Sequence, residues 1–466
     1  MFFFYKTMTW CTMSLMMLFM LPMPLPAQQS TPVSLKQLID SARHHLPILA
    51  QKQALINGAD AQTRFVRNSF LPTATVADEL ALSTDNSLPG SYSSYGIIPS
   101  TSSGIHSTNN YQPATGNIGI LYSQYDLEDF GYKKAVVQNA QAGANVNRAD
   151  LAQQQYQLAW QTGQLYFELR KNMYQLEVDR QNVQRYTDVY KVIQAVTRSG
   201  IKPGADSSLA LAELSRTRIQ FNQTAGKVLQ LQQQLGYITG LPADVILPDT
   251  NTTKAYLGAM SIAGNVFDST YNPLTDYYEK QKQVFLSAEN LVKKSYLPRI
   301  VLMGTVWGRG SSIDYNSDYK SLSTGLGYQR LNYMAGVTIS YDLFNPLHKR
   351  DRLAVTHYQT IASSQALNQQ MLYLQNISNN AGTAITTAWQ NLQEIPVQIG
   401  ASVDGYNQKT AQYKAGIINL VDLTNATFVL YRAQTDYVQT LSDWFLANLD
   451  KAAATGSLDL FIQSVK

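Results

Sequence analysis

The chain has 466 residues, a formal net charge of +4 and only 15% charged residues. Its lysines and arginines form no concentrated basic patch, so nucleic acid is not an expected partner. The five histidines show no metal-ligand spacing, and the sequence contains no Gly-rich phosphate loop and no nucleophile elbow. These features predict a protein that is not an enzyme and that uses no metal or cofactor.

Residues 1–27 are typical of a secretory signal peptide. Lys6 supplies the positive charge, an apolar core follows, and a proline-rich stretch ends at the small residue Ala27. The only cysteine, Cys11, lies inside this segment. After Ala27, no apolar run reaches the ~20 residues that a membrane-spanning helix needs. If the rest of the chain crosses a membrane, it must do so with β-strands, whose alternating pattern is hidden from hydropathy plots.

The remaining sequence contains an internal duplication, with one copy in residues 28–250 and the other in residues 251–466. Five pairs of matching positions are 216 residues apart. They are Gly200 and Gly416, Asp206 and Asp422, Arg216 and Arg432, Tyr125-Asp126-Leu127 and Tyr341-Asp342-Leu343, and Thr239-Gly240 and Thr455-Gly456. Upstream, Leu71-Pro72 matches Leu297-Pro298 at an offset of 226. The ten extra residues of the first copy fall in the Ser-, Gly- and Tyr-rich stretch 83–116, which we interpret as a loop.

Each copy predicts the same elements in the same order: a helical lead-in, a strand opened by Leu-Pro, a loop, a second strand and a long helical hairpin. The lead-ins are residues 35–68 and 274–294. Residues 335–343 alternate apolar and polar side chains, as expected for a strand between lipid and water. Strand 117–127 alternates less regularly and strand 297–307 is nearly apolar on both faces, so a soluble β-domain stays open as an alternative.

The hairpins are predicted to be long coiled coils. Residues 132–197 contain no proline, and one helix of that length would extend ~100 Å. Large apolar residues recur every seven positions, which is typical of helices packed side by side. They are Leu151, Leu158 and Leu165, then Leu214, Phe221, Val228 and Leu235, and in the second copy Leu430, Tyr437 and Trp444. Pro396 lies inside the outgoing helix of the second copy, where we expect a kink or a break.

The hairpin tips carry two repeated residues. Gly200 and Gly416 each end an outgoing helix, where glycine is typical of a left-handed C-cap. Asp206 and Asp422 lie where the returning helix begins, where an acid satisfies free backbone N–H groups. These residues are either caps only or, in an oligomer, also the source of a ring of carboxylates that narrows a pore.

The chain resembles the TolC family of outer-membrane efflux proteins (outer-membrane factors) over essentially all of its sequence after residue 27. The resemblance rests on the pattern from Ser34-Leu35 to Leu71-Pro72, on the Tyr-Asp-Leu strand ends, and on the tip motif Tyr-x-x-Gly-x-x-x-x-x-Asp that begins at Tyr413. It implies an α+β membrane protein that forms a homotrimer. Long antiparallel helical hairpins would build an α-barrel through the periplasm, and four strands per chain would contribute to a shared twelve-stranded β-barrel in outer-membrane lipid.

The same resemblance implies roles for the tips. They would dock on a periplasmic adaptor protein and, through it, on an inner-membrane pump of the RND or ABC type. Asp206 and Tyr413 match family positions whose contacts hold the periplasmic aperture shut, and Asp422 matches a ring of carboxylates. Ile418 and Asn425 depart from the pattern, since a basic and an acidic residue respectively stand there in its best-known form. These two changes predict an aperture held shut more by packing than by ion pairs.

Two functions from different classes are compatible with the sequence. The first is a passive export duct, namely the outer-membrane channel subunit of a tripartite efflux or type I secretion system. The alternative is a surface or periplasmic coiled-coil scaffold or adhesin without a pore. The duplicated pairs of strands and the alternation in residues 335–343 favour the duct, because a scaffold has no need of a lipid-facing sheet.

Overall fold

The computed structural model describes residues 32–87, 105, 107–198, 204–248 and 272–465. The predicted signal peptide, Gly200 and the predicted boundary between the copies at residues 250 and 251 lie outside these ranges.

Each copy contributes helices, two strands and a long helical hairpin. The first copy consists of α1 (Leu35–His45), α2 (Pro47–Asn68), β1 (Thr73–Ser83), β2 (Ala114–Glu128), α3 (Tyr132–Arg198), α4 (Gly204–Thr239) and a 3₁₀ turn (Ala243–Val245). The second consists of α5 (Pro273–Ser295), β3 (Arg299–Ser311), a 3₁₀ turn (Leu322–Leu326), β4 (Arg330–Ser340), α6 (Asn345–Lys414), α7 (Leu420–Ala454) and α8 (Leu458–Ser464). The observed order agrees with the order expected from the duplication.

The first helical lead-in is divided into two helices. Ser34 begins α1 with a capping box, in which its side chain accepts from Gln37 N–H and Gln37 in turn accepts from Ser34 N–H. Leu46 has an extended backbone because it precedes Pro47, and Pro47 then occupies the first turn of α2. The helical lead-in predicted over residues 35–68 is therefore present as two helices, with a break at Leu46.

Helix α6 continues through Pro396 without interruption. We expected a kink or a break there; the break is wrong, and the surroundings give the reason. Pro396 is exposed, so the Leu392 carbonyl that loses its helical partner can accept from water. The neighbouring Leu392 and Ile395 are buried and hold the helix against the core.

The four strands form one antiparallel sheet in the order β1-β2-β3-β4. The central pair, β2 and β3, joins the two copies, with Tyr122 opposite Thr305. Strands β1 and β4 are the edges of this sheet and have no neighbour on their outer sides among the described strands. Large apolar side chains such as Tyr333 and Val76 are more than three-quarters exposed on the sheet.

Among the described residues, no helix is long and apolar enough to cross a membrane.

The helices pack as two hairpins that also contact each other. Helix α3 packs against α4, α6 against α7, and α3 of the first copy lies along α7 of the second. The main core surrounds Phe167, Trp444 and Phe445, and the short helices α1 and α8 add their apolar faces to it. The heptad positions Leu158, Leu214, Val228, Leu235, Leu430 and Trp444 are buried, as expected from the sequence. The coiled-coil prediction is confirmed.

Candidate functional site: the hairpin tips

The tips of the two hairpins meet in a small apolar cluster, separate from the main core. It consists of Val189 and Ile193 of α3, Ala210 of α4, Tyr413 of α6, and Leu420 and Leu423 of α7. Ile418, from the turn between α6 and α7, packs against it together with Tyr190 and Val192. All four long helices therefore contribute to one contact that joins the two tips of the chain.

Tyr413 is the central residue of this tip cluster. Its side chain is buried, and burial raises the pKa of its hydroxyl above the ordinary value. The negative charge of Asp206 raises this pKa further. Asp206 itself is partly buried in the first turn of α4. Asp206 lies one helical turn before Ala210 of the tip cluster, so the fold brings Asp206 and Tyr413, which are 207 positions apart in the sequence, to the same tip.

Gly416 closes α6 in a Schellman motif. Its φ of +73° lies in the left-handed region, where a residue without a side chain is favoured. The Ile417 N–H donates to the Gln412 carbonyl at 2.9 Å, and the Gly416 N–H donates to the Tyr413 carbonyl at 3.0 Å. The motif fixes the turn directly after Tyr413, so it also positions that side chain. Gly416 is the C-cap glycine that the sequence predicts.

Asn419, and not Asp422, caps the start of α7. The Asn419 side chain accepts a hydrogen bond from the Asp422 N–H at 2.9 Å. The Asp422 carboxylate is exposed in the first turn, where the positive end of the helix dipole stabilises it. Our expectation that Asp422 acts as a cap is therefore wrong, because an amide three residues earlier already satisfies the free N–H group.

The two departures from the family pattern have different surroundings. Ile418 is partly buried against the tip cluster, whereas Asn425 is exposed on α7. The apolar Ile418 thus adds packing at a position where a basic residue would have been available for an ion pair.

A buried carboxylate further up the hairpins escaped the sequence analysis. Asp179 of α3 is 1% exposed and accepts hydrogen bonds from Thr224 (2.6 Å, α4), Tyr431 (2.9 Å, α7) and Gln175 (2.8 Å, α3). Asp179 therefore links the hairpin of α3 and α4, in the first copy, to helix α7 of the second copy. The signal was present, because Asp179 continues the seven-residue spacing of Leu151, Leu158 and Leu165. A carboxylate at a core heptad position indicates a polar network.

The Asp179→Ala variant should destabilise the packing of the three helices. The change removes the acceptor that Thr224, Tyr431 and Gln175 share, at a cost of roughly 2–4 kcal/mol. Thr224 and Gln175 keep only longer hydrogen bonds, to the Gln220 carbonyl and to Thr435. We expect the purified protein to unfold at a lower temperature, measured by circular dichroism. Asp188→Ala is the matched control, since Asp188 lies on the same helix and its side chain is mostly exposed. Equal shifts for both variants would contradict a structural role for the network.

Comparison with known proteins agrees with this architecture. Residues 38–241 match the family model described as outer membrane efflux protein. No curated protein matches the chain by sequence.

Solved structures share the fold along nearly the whole chain. The outer-membrane channel OprN has 16% identity and a TM-score of 0.72, with 91% of this chain and 90% of that chain covered. VceC from Vibrio cholerae has 15% identity and a TM-score of 0.73, with 91% and 96% covered. The CmeC channel of Campylobacter jejuni has 13% identity and a TM-score of 0.70, with 91% and 86% covered. The first copy is thus similar in sequence to outer membrane efflux proteins, and both copies together share the fold of these outer-membrane channels.

Proposed function

We propose that the chain is the channel subunit of a tripartite export system, and that three copies form a passive duct across the outer membrane and the periplasm. The open sheet carries this proposal. The described part of the chain has four strands, and the outer edges of β1 and β4 have no partner within it. Four strands are too few to close a bacterial barrel, and open edges are not tolerated in lipid. Three copies would supply twelve strands. The matched family model describes efflux proteins, and we assign no enzymatic reaction to this chain.

The duplication indicates how the copies would join. Within the chain, Tyr122 of β2 lies opposite Thr305 of β3. The matching positions are Thr338 of β4 at offset 216 and Glu79 of β1 at offset 226. A head-to-tail contact that repeats the internal one would therefore place Thr338 opposite Glu79 of the next copy. Such an interface closes into a ring instead of leaving free edges.

In this proposal the hairpin tips form the periplasmic aperture. The packing of Tyr413 in the tip cluster, with Ile418 against it, would hold the two hairpins of each chain together. Asp206 would act on the Tyr413 hydroxyl through its charge, and Gly416 would fix the turn. The exposed Asp422 carboxylates of three copies would form a ring at the opening. The tips would also be the docking surface for a periplasmic adaptor and, beyond it, an RND or ABC pump. A coiled-coil scaffold without a pore is less well supported, because it would leave both sheet edges unpaired.

Cell fractionation and planar bilayers test this proposal. We expect the protein in the outer-membrane fraction, as a trimer that becomes a monomer on heating in detergent. The purified trimer should give discrete conductance steps. A soluble monomer, or a trimer that never conducts, would contradict the proposed duct.

A further inference from the structure

The loop that joins β3 to β4, residues 312–329, folds back onto one face of the sheet. Paired residues of antiparallel strands project to the same face, so the register defines rows of side chains across the sheet. One row contains Asp78, Gly119, Gly308 and Leu331. The next row on that face contains Val76, Leu121, Val306 and Tyr333. The loop covers this face at the end of the sheet where β3 ends and β4 begins.

This face is the apolar, exposed side of the sheet. Val76 is 80% exposed, Leu331 78% and Ile339 70%. Ile120 and Trp307, which project to the opposite face, are partly shielded. In a closed ring the exposed apolar face is the one that meets lipid, so the loop lies on the outside of the proposed barrel and not in its lumen.

Tyr328 is held on this face by two glycines and a carboxylate. Its hydroxyl donates to the Asp78 carboxylate at 2.8 Å. A Cβ atom at Gly119 would collide with the phenol, and one at Gly308 would be tighter against its ring than ordinary contacts allow. Glycine weakens a strand interior, and it is found where another group approaches closely. Gly119 and Gly308 thus leave a shallow depression, called the saddle here, in which the Tyr328 ring lies directly on the strand backbone.

The loop backbone is fixed beside this saddle. The buried Asn117 side chain donates to the Leu326 carbonyl at 2.8 Å, and the Gln329 N–H donates to the Arg309 carbonyl at 2.8 Å. A Cβ at Gly310 would collide with the Gly327 carbonyl. Despite these contacts, Leu326 and Tyr328 remain 52% and 57% exposed. The loop therefore presents an apolar and aromatic surface directly above the exposed apolar rows.

We propose that residues 312–329 form a collar on the outside of the barrel that contacts the headgroup layer of the outer leaflet, with Tyr328 shielding Asp78 from lipid. The inference rests on the proposed function, because it needs a sheet that closes with its apolar face outward. A carboxylate facing hydrocarbon is costly, and the hydroxyl of Tyr328 removes part of that cost. Tyrosine suits this depth because its ring is apolar and its hydroxyl is polar.

Spin labelling of the full chain tests the collar. A nitroxide is attached at Leu326→Cys in a Cys11→Ser background, and the trimer is reconstituted in vesicles of phosphatidylethanolamine and phosphatidylglycerol. The control label is at Tyr315→Cys in the same loop, because Tyr315 is 89% exposed. The measured quantity is accessibility to oxygen, which concentrates in lipid, relative to a water-soluble nickel complex. We expect a ratio several-fold higher for Leu326→Cys than for Tyr315→Cys.

Filling the saddle should release the loop. Gly119→Val should lower the ratio at the Leu326→Cys label to that of the Tyr315→Cys label. Gly304→Val should leave it unchanged, because a Cβ at Gly304 of the same face meets only the Met334 carbonyl at 3.9 Å. Equal ratios at the two labels in the parent chain, or no response to Gly119→Val, would overturn the collar. If the trimer still conducts in that case, the proposed duct stands; loss of trimers and conductance in the parent chain would remove the duct itself.

Discussion

Replacing Gln233 and Asn379 together by cysteine should convert the protein into covalent trimers under mild oxidation. The expectation follows from an internal contact between the copies. A Cβ at Gly163 of α3 would lie 3.0 Å from the Leu449 side chain of α7. The duplication maps Gly163 to Asn379 of α6 and Leu449 to Gln233 of α4, at the offset of 216. Both matching residues are exposed in the single chain.

A repeated contact would place Asn379 of one copy beside Gln233 of the next. Each chain would then be linked once to each neighbour, so all three copies of the proposed ring would be joined covalently. Disulfide formation requires Cα atoms within about 7 Å, which is a strict test of register. A background of Cys11→Ser leaves no other cysteine in the 466-residue sequence. Denaturing gels without reductant measure the outcome, and reductant should return all material to the monomer.

Single variants should not form linked trimers. A mismatched pair, Gln223→Cys with Asn379→Cys, should also fail, because Gln223 lies about 15 Å along α4 from Gln233. Covalent dimers that never extend to trimers would indicate a two-fold arrangement. Equal linking of the matched and mismatched pairs would show that the register is not inherited from the duplication.

Much of the fold follows from patterns that have one physical solution. A long stretch without proline and with apolar residues every seven positions is satisfied by a long packed helix, and α3 has nearly the predicted bounds. The offset of 216 residues similarly predicts the order of elements in the second copy. Pro396 does not end the helix, although a break was one of the two outcomes expected, because the effect of a proline depends on its surroundings. A proline breaks a helix when its neighbours do not compensate, and here buried Leu392 and Ile395 do.

The candidate site was less accessible from sequence. Asp206 and Tyr413 were singled out by resemblance, but the apolar cluster that surrounds Tyr413 requires knowing that the two tips meet. The cap at Asn419 was missed because an acid at Asp422 offers the same type of chemistry three residues later. Asp179 was missed because the search for heptads considered only apolar residues, and Asp179 is a carboxylate at one of the seven-residue positions. Local rules identify the type of contact, whereas long-range packing selects the residue.

Tyr413→Ala should open the tips and raise single-channel conductance several-fold. The ring of Tyr413 is buried among residues of both hairpins, and removing a buried aromatic side chain costs about 3–5 kcal/mol. Each copy of a trimer loses this contact at the same time, so the two hairpins of every chain are freer to separate. Conductance of the reconstituted protein in planar bilayers measures the opening, and faster proteolysis at the tips provides an independent reading.

Tyr413→Phe separates packing from polar contact, since it keeps the ring and removes the hydroxyl. If packing holds the aperture shut, this variant should conduct like the parent chain, and so should Asp206→Asn. The pKa of Tyr413 is raised, so the neutral hydroxyl is retained at neutral pH, and its contribution is lost only as the pH rises above about 10. Conductance should therefore not respond to titration of Tyr413 between about pH 6 and 9. If Tyr413→Phe opened the channel as far as Tyr413→Ala, the hydroxyl would be the essential group, and the apolar contact with Ile418 would be insufficient to keep the tips together.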